Sequence, residues 1–327
     1  MLDQETIALL DRLQSINEEM LADQRFTGME AARAYSATVF AAFAGPVDDA
    51  AVTCTSIEVE GAAGRRSARS YRPAQAGDAL LPVVVFFHGG GWSVGDLDCY
   101  DELVRTLVAL SGVQFISVDY RLAPENPFPA GLEDAISATR WIAAQGSDLG
   151  IDPDRLAVMG DSAGGNLAAC VTNYATGELG FPQIAAQFLI YPVIDVSRPH
   201  ESYPSRIAFG GGDYLLAREA IDATRDWYLG SGDRADDPRV SPIYAEDLRK
   251  LPPTHVMVAG HDPLRDEGIA YYERLKAAGV DAHLERVEET IHAFLSFGVL
   301  ESAQRARRRL AAAVSRTLAP KGSVSLP

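Results

Sequence analysis

The chain has 327 residues, a hydrophobic fraction of 47% and a formal charge of −16, from 29 Lys and Arg against 45 Asp and Glu. This hydrophobic fraction excludes a disordered chain, because so much apolar surface can offset the conformational entropy that folding removes. The acidic balance argues against nucleic acid or an anionic membrane surface as a partner, since both attract clustered Lys and Arg.

The first 45 residues have helical spacing and no strand pattern. Apolar residues from Ile7 to Leu21 recur at three- and four-residue steps, and an Ala-rich stretch follows until Gly45-Pro46. Two alternating runs come next, Ser56–Glu60 and Arg66–Tyr71, on either side of a Gly-rich turn. This pattern predicts a β-hairpin after the N-terminal helices.

From residue 83 onward, apolar runs of strand length alternate with helical segments. The predicted strands are Val83–Phe87, Val113–Val118, Leu156–Met159, Ala186–Ile190, His255–Ala259 and Ala282–Val287. The predicted helices are Tyr100–Leu110, Gly131–Ala144, Gly164–Ala175, Asp266–Ala278 and Phe294–Leu318. Apolar strands that alternate with helices indicate an α/β fold with a parallel sheet buried on both faces.

Residues 195–249 interrupt this alternation. They contain no strand run, include Gly210-Gly211-Gly212 and have one helical stretch, Ala217–Leu229. We expect residues 1–45 and the insertion 195–249 to form a helical cap over the carboxyl edge of the sheet. The catalytic domain then comprises residues 46–194 and 250–319, and residues 320–327 are expected to be disordered.

The strongest chemical signal is Gly160-Asp161-Ser162-Ala163-Gly164-Gly165, between a predicted strand and a predicted helix. This context is typical of a nucleophile elbow, in which a tight turn presents Ser162 and requires glycine on both sides. The helix dipole at Ser162 would favour developing negative charge. Asp161 is expected to support the elbow rather than to contact the reacting carbonyl.

The second signal is His88-Gly89-Gly90-Gly91-Trp92, directly after the strand Val83–Phe87. Three glycines let a backbone lie close to a substrate with its N–H groups free. We expect Gly89, Gly90 and Ala163 to donate their N–H groups to an oxyanion. A phosphate-binding P-loop is disfavoured, because the chain contains no Gly-Lys pair.

A nucleophilic serine needs a base and an acid that orients it. In hydrolases with a nucleophile elbow, the serine, the acid and the histidine follow in this order along the chain, which leaves His283 and His292 as candidate bases. His292 is favoured because it lies in a loop, whereas His283 lies in a strand run. Asp262 follows the strand His255–Ala259 and is the favoured acid. Asp266 is the alternative, in a position typical of the first turn of a helix.

Together these motifs resemble the hormone-sensitive lipase-like branch of the α/β-hydrolase superfamily, a group of bacterial esterases. Further segments that resemble the family are Asp119-Tyr120-Arg121-Leu122-Ala123-Pro124-Glu125, Tyr191-Pro192-Val193, Asp262-Pro263-Leu264-Arg265-Asp266-Glu267-Gly268 and His292-Ala293-Phe294, all in family order. The resemblance implies an α/β-hydrolase fold, with a mostly parallel eight-stranded sheet flanked by helices and covered by a helical cap.

The same resemblance implies a carboxylesterase that hydrolyses short- to medium-chain acyl esters through Ser162, Asp262 and His292, without a cofactor or metal. The side chains that could line an apolar substrate pocket are Trp92, Tyr191, Tyr35, Phe40 and Phe209. An amide or N-acyl hydrolase with the same triad is the alternative enzyme. A non-catalytic receptor of this fold is the alternative of another class, although such receptors lack the catalytic histidine.

The remaining expectations concern assembly and location. The resemblance suggests a homodimer that pairs the edge strand 282–287 across a two-fold axis. No apolar run reaches the roughly 20 residues of a membrane span, and the acidic N-terminus lacks the features of a secretory signal. The three scattered cysteines, Cys54, Cys99 and Cys170, indicate reduced thiols. A cytoplasmic protein is therefore expected.

Overall fold

The computed structural model describes residues 1–22, 28–232 and 234–320 of the chain. Within them, one eight-stranded sheet has the order β1-β2-β4-β3-β5-β6-β7-β8. Its strands are β1 (Val52–Gly61), β2 (Gly64–Pro73), β3 (Leu81–Phe87), β4 (Gln114–Val118), β5 (Ile151–Asp161), β6 (Ala186–Ile190), β7 (Thr254–His261) and β8 (Ala282–Ile291). The predicted hairpin is β1–β2, and β2 pairs with β4 in antiparallel orientation, whereas the strands β4, β3, β5, β6, β7 and β8 run parallel to one another. The predicted α/β-hydrolase architecture is confirmed.

Helices cover both faces of the sheet. They are α1 (Gln4–Ala22), α2 (Gly28–Phe43), α3 (Asp101–Ser111), α4 (Ala130–Ala144), α5 (Ala163–Gly177), α6 (Pro204–Phe209), α7 (Arg218–Leu229), α8 (Arg265–Ala277) and α9 (Glu301–Thr317). Alternate side chains of β3 enter opposite cores, as the pleat of a strand requires. Val85 packs with α4, α5 and α8, whereas Val84 packs with α3 and α9.

Some predicted boundaries differ from the structure, and one helix, α6, was not predicted. Strand β8 continues to Ile291 through Glu288 and Glu289, because an edge strand with one face in solvent tolerates charged residues. The last helix begins at Glu301 and not at Phe294, which lies in a short 3₁₀ turn before it. The short helix α6 has too few residues to give a periodic signal.

The segments assigned to the cap contact the sheet domain from two directions. Residues of α1 and α2 join the core that contains α3 and α9, and Ile221 and Tyr228 of α7 join the opposite core. The proposed division at residues 45, 195 and 249 stays a prediction, as does pairing of β8 with a second copy. The expected disorder of residues 320–327 concerns Pro320, which is described, and residues 321–327, which lie outside the described part.

Candidate active site

Ser162 stands at the junction between β5 and α5. Its backbone adopts φ 53° and ψ −119°, a conformation that costs energy for any residue other than glycine. The turn is also too tight for side chains on either flank. A Cβ atom at Gly160 would lie 2.2 Å from the Gly164 carbonyl oxygen, and one at Gly164 would lie 1.9 Å from the Phe87 carbonyl oxygen. The strained turn directs the Ser162 hydroxyl away from the sheet, as in a nucleophile elbow.

His292 and Asp262 complete a hydrogen-bonded chain with Ser162. His292 follows β8, and its Nε2 lies 3.0 Å from Ser162 Oγ. Its Nδ1 lies 2.7 Å from Asp262 Oδ2, and Asp262 follows the neighbouring strand β7. The carboxyl ends of β5, β7 and β8 thus bring together three residues that are up to 130 positions apart. All three side chains are buried.

The environment of His292 favours its protonated form. Burial alone lowers the pKa of His292, whereas the charge of Asp262 and its hydrogen bond raise it. The carboxylates of Asp161 and Glu267 add to this effect, so the pKa of His292 lies above its usual value. The imidazole is therefore a better proton acceptor than a free histidine.

The alternative acid and base lie elsewhere. Asp266 accepts the Ser205 N–H at 2.8 Å and the Arg265 Nε–H at 2.8 Å, so its carboxylate faces the cap segment. The ring of His283 lies 5.2 Å from that of His255, within the paired strands β7 and β8. Within the described residues, neither the Asp266 nor the His283 side chain is hydrogen-bonded to Ser162, His292 or Asp262.

The expectation that the Gly89 N–H is free is wrong. This N–H donates to Asp161 Oδ1 at 2.8 Å and also approaches the Tyr100 hydroxyl at 3.0 Å. The Tyr100 hydroxyl itself donates to Asp161 Oδ2 at 3.0 Å. Asp161 thus ties the start of the glycine loop to the base of the elbow, which fits the supporting role predicted for it. Burial raises the pKa of Asp161 to about 6, although these hydrogen bonds oppose the rise.

The N–H groups of Gly90, Gly91 and Ala163 have no acceptor within the described part of the chain. Gly90 has φ +112°, and a Cβ there would lie 2.2 Å from the Val94 carbonyl oxygen, so this turn requires glycine. Gly91 is not among the donors predicted from the sequence, although it belongs to the same glycine motif. A motif cannot show which of three successive N–H groups is already paired.

The five predicted pocket residues have different environments. Trp92 is buried and stacks on Tyr228 of α7 at 4.1 Å between ring centroids. Tyr191 is buried behind His292, with 5.0 Å between their rings. Both therefore contribute to packing, and their assignment to the pocket surface stays a prediction. The other three, Tyr35, Phe40 and Phe209, are half-buried and stay predictions.

Comparison with known proteins agrees with this geometry. Residues 84–296 match the family model of the alpha/beta hydrolase fold. A carboxylic ester hydrolase of Mycobacterium tuberculosis, LipN, is 40% identical over 291 residues, which cover 85% of this chain and 75% of the relative. An ethyl acetate hydrolase of Pseudomonas putida is 39% identical over 239 residues, covering 72% and 73%.

A solved structure, an ester hydrolase from the metagenome of Lake Arreo in complex with a phosphonate derivative, superposes with a TM-score of 0.87. It is 36% identical and covers 97% of this chain and 99% of its own. The chain belongs to the hormone-sensitive lipase-like branch of the α/β hydrolases. It is a carboxylic ester hydrolase, as the sequence predicted.

Two further observations concern membrane-spanning helices and metal sites. None of its helices, over residues 1–22, 28–232 and 234–320, is long and apolar enough to cross a bilayer. Over the same residues, no group of three His, Cys, Asp or Glu side chains is placed to hold a metal ion.

Proposed function

We propose that this hydrolase cleaves short- to medium-chain acyl esters by acyl transfer to Ser162. The observation that carries the proposal is the hydrogen-bonded chain from Ser162 Oγ through both ring nitrogens of His292 to Asp262, with 3.0 Å and 2.7 Å spacings. These spacings are those that a nucleophile, a general base and an orienting acid require.

In the first step, His292 Nε2 accepts the Ser162 proton while Ser162 Oγ attacks the ester carbonyl. Asp262 holds the imidazole tautomer and stabilises the imidazolium. The imidazolium then protonates the departing alcohol, which leaves an acyl-Ser162 ester. In the second step, His292 deprotonates a water molecule that attacks this ester, and Ser162 recovers its proton when the carboxylic acid leaves.

The negative charge on the tetrahedral oxygen needs donors that are already in place. We assign this role to the N–H groups of Gly90, Gly91 and Ala163, which have no acceptor within the described residues. Ala163 begins α5, so the dipole of that helix adds to its N–H. Each well-placed donor is worth about 3 kcal/mol at the transition state.

The preference for short to medium acyl chains rests on the closed surroundings of Ser162. Thr224 of α7 lies so close to Gly91 that a Cβ at Gly91 would be 2.5 Å from Thr224 Cγ2. Helix α7 therefore covers the glycine loop and limits the volume beside the nucleophile. The similarity to an ethyl acetate hydrolase agrees with a small acyl group.

The test is hydrolysis of p-nitrophenyl esters from acetate to palmitate by the wild type and by Ser162→Ala. We expect turnover of the shorter esters and its loss, by several orders of magnitude, in the variant. A fluorophosphonate probe should label the wild type and not the variant. Ser202→Ala, an exposed serine in the cap insertion, is the matched control and should keep full activity.

Each other outcome contradicts part of the proposal. Substantial activity in Ser162→Ala would exclude Ser162 as the nucleophile. Labelling by the probe without turnover of any ester would favour an amide or N-acyl substrate. A wild type that neither turns over esters nor reacts with the probe would contradict the acyl-transfer mechanism.

A further inference from the structure

The loop that carries the proposed acid is bonded to the cap insertion at two helix ends. Helix α8 begins three residues after Asp262, and its N-cap residue, Leu264, provides no side-chain acceptor for the first turn. The acceptor comes from Ser205 of α6, whose Oγ accepts the Asp266 N–H at 3.1 Å. The same hydroxyl donates to the Pro263 carbonyl at 2.8 Å. Ser205 thus performs from 61 positions away the function of an N-cap serine.

The capping is reciprocal. The N-cap residue of α6, Tyr203, also provides no side-chain acceptor for its helix. The Ser205 N–H donates instead to Asp266 Oδ2 at 2.8 Å. Two helix ends from distant parts of the chain therefore satisfy each other's unpaired N–H groups. Asp266, the alternative acid in the sequence, has a structural partner in the cap.

A buried ion pair lies next to this double cap. Arg206 donates from Nε to Glu267 Oε2 at 3.0 Å, and both side chains are almost fully buried. Glu267 Oε1 accepts the backbone N–H groups of Ile194 and Asp195 at 2.7 Å and 3.2 Å. Residues 205 and 206 of the cap insertion are thus bonded to residues 263, 266 and 267, which follow Asp262.

We propose that Ser205 is a positioning residue that holds the Asp262 carboxylate at hydrogen-bonding distance from His292. Pro263, whose carbonyl accepts the Ser205 hydroxyl, is the residue after Asp262. Leu264, the next residue, donates its N–H to Asp262 Oδ1 at 2.8 Å and so sets the orientation of the carboxylate. This inference rests on the proposed triad and adds a residue that its motifs do not include.

Loss of the Ser205 hydroxyl has a consequence that a purely structural role lacks. The charged groups that act on the His292 ring are the carboxylates of Asp262, Asp161 and Glu267, and the Tyr191 ring packs against it. If the Asp262 loop moves away, the attraction that raises the pKa of His292 weakens while burial of the ring persists. The pKa of His292 then falls, and the acid limb of the kcat/KM profile moves to lower pH.

The experiment compares kcat and the pH profile of kcat/KM, with p-nitrophenyl acetate, for the wild type and Ser205→Ala. We expect kcat to fall by on the order of 10- to 100-fold, as for a catalytic group displaced by a fraction of an ångström. We also expect the acid limb to move to lower pH. Acid unfolding of a less stable variant would move this limb to higher pH, the opposite direction, so the test survives a loss of stability.

Two variants give this test its reference points. Ser202→Ala removes an exposed hydroxyl from the same segment and should leave both kcat and the acid limb at wild-type values. Asp262→Asn removes the carboxylate itself and should move the acid limb in the same direction as Ser205→Ala, and further. A Ser205→Ala enzyme that is less stable but has the wild-type kcat and acid limb would overturn the proposal. Failure of the triad itself is recognised separately, by activity in Ser162→Ala.

Discussion

The two sides of Ser162 are joined to the cap segments by contacts of different kinds. On the acid side, the ion pair between Arg206 and Glu267 has side chains that are 2% and 0% exposed. On the oxyanion side, Arg33 of α2 pairs with Glu125, and these side chains are 37% and 54% exposed. Breaking a buried pair leaves a charge without solvation, whereas an exposed pair exchanges its partner for water. The acid side is therefore joined to α6 more strongly than the oxyanion side is joined to α2.

The exposed contact still bridges two loops next to the site. Arg33 Nε donates to the Ser93 carbonyl at 3.0 Å, and its Nη2 donates to the Ala123 carbonyl at 3.3 Å. Ser93 lies two residues after Gly91. The glycine loop is thus bonded to the half-buried side chain of Arg33 and to the buried carboxylate of Asp161. Substitutions on each side measure how much these contacts contribute to stability and to kcat.

The largest effect on stability is expected from Glu267→Gln. Glutamine offers one oxygen where the carboxylate offers two, so it cannot accept from both Arg206 and the N–H groups of Ile194 and Asp195. A buried guanidinium or a buried N–H then lacks its acceptor. We expect the free energy of unfolding to fall by about 3–5 kcal/mol, measured by urea denaturation.

The matched control for that variant is Glu125→Gln, which removes one carboxylate charge from the exposed pair. Its unfolding free energy should change by less than about 1 kcal/mol. Equal losses in the two variants would remove the distinction between the two sides. A loss of less than about 1 kcal/mol in Glu267→Gln would also contradict this distinction, because it would mean that water reaches the ion pair.

We expect Asp161→Asn to change the free energy of unfolding by a smaller amount, and to raise it at neutral pH. The pKa of Asp161 is raised from 3.8 to about 6 in the folded chain. The folded state therefore binds the proton more tightly than the unfolded state, and the stability that this gives is present below pH 3.8 and lost as the pH rises through 6. At pH 7 the ionised carboxylate costs about 3 kcal/mol, at 1.36 kcal/mol per pKa unit.

Asparagine has the same shape and keeps an oxygen that can accept the Gly89 N–H. We expect Asp161→Asn to be more stable than the wild type at pH 7 by up to about 3 kcal/mol, and the gain to vanish near pH 4. Asp154→Asn, which changes an exposed carboxylate on the same strand, is the matched control. A loss of stability at pH 7 in Asp161→Asn would show that the hydrogen bonds of the carboxylate outweigh its burial.

The sequence predicted the parts of the site that depend on local steric constraint. Gly160 and Gly164 mark the elbow because a Cβ atom at either position would clash with the backbone. Asp262 and His292 each follow a strand whose apolar run is evident in the sequence. The alternation of strands and helices predicted the α/β sheet for the same reason, since burial on both faces demands continuous apolar runs.

The parts that the sequence did not predict depend on contacts between distant residues. The pairing of Gly89 with Asp161 spans 72 positions, and that of Ser205 with Asp266 spans 61. Neither leaves a periodic or local signal. The burial of Trp92 against Tyr228 was missed for the same reason, because an aromatic residue beside a glycine motif suits a pocket and a packed interface equally well.

The smallest effect is expected from Arg33→Gln. Because the pair with Glu125 is exposed, the unfolding free energy should change by less than about 1 kcal/mol. We expect kcat to fall only a few-fold, far short of the roughly 100- to 1,000-fold loss that follows removal of an oxyanion donor. Arg12→Gln, which removes an exposed arginine paired with Glu19 in α1, is the control and should leave kcat unchanged. A loss of 100-fold or more in Arg33→Gln would mean that the exposed contact, and not the buried Asp161, sets the position of the Gly90 and Gly91 N–H groups.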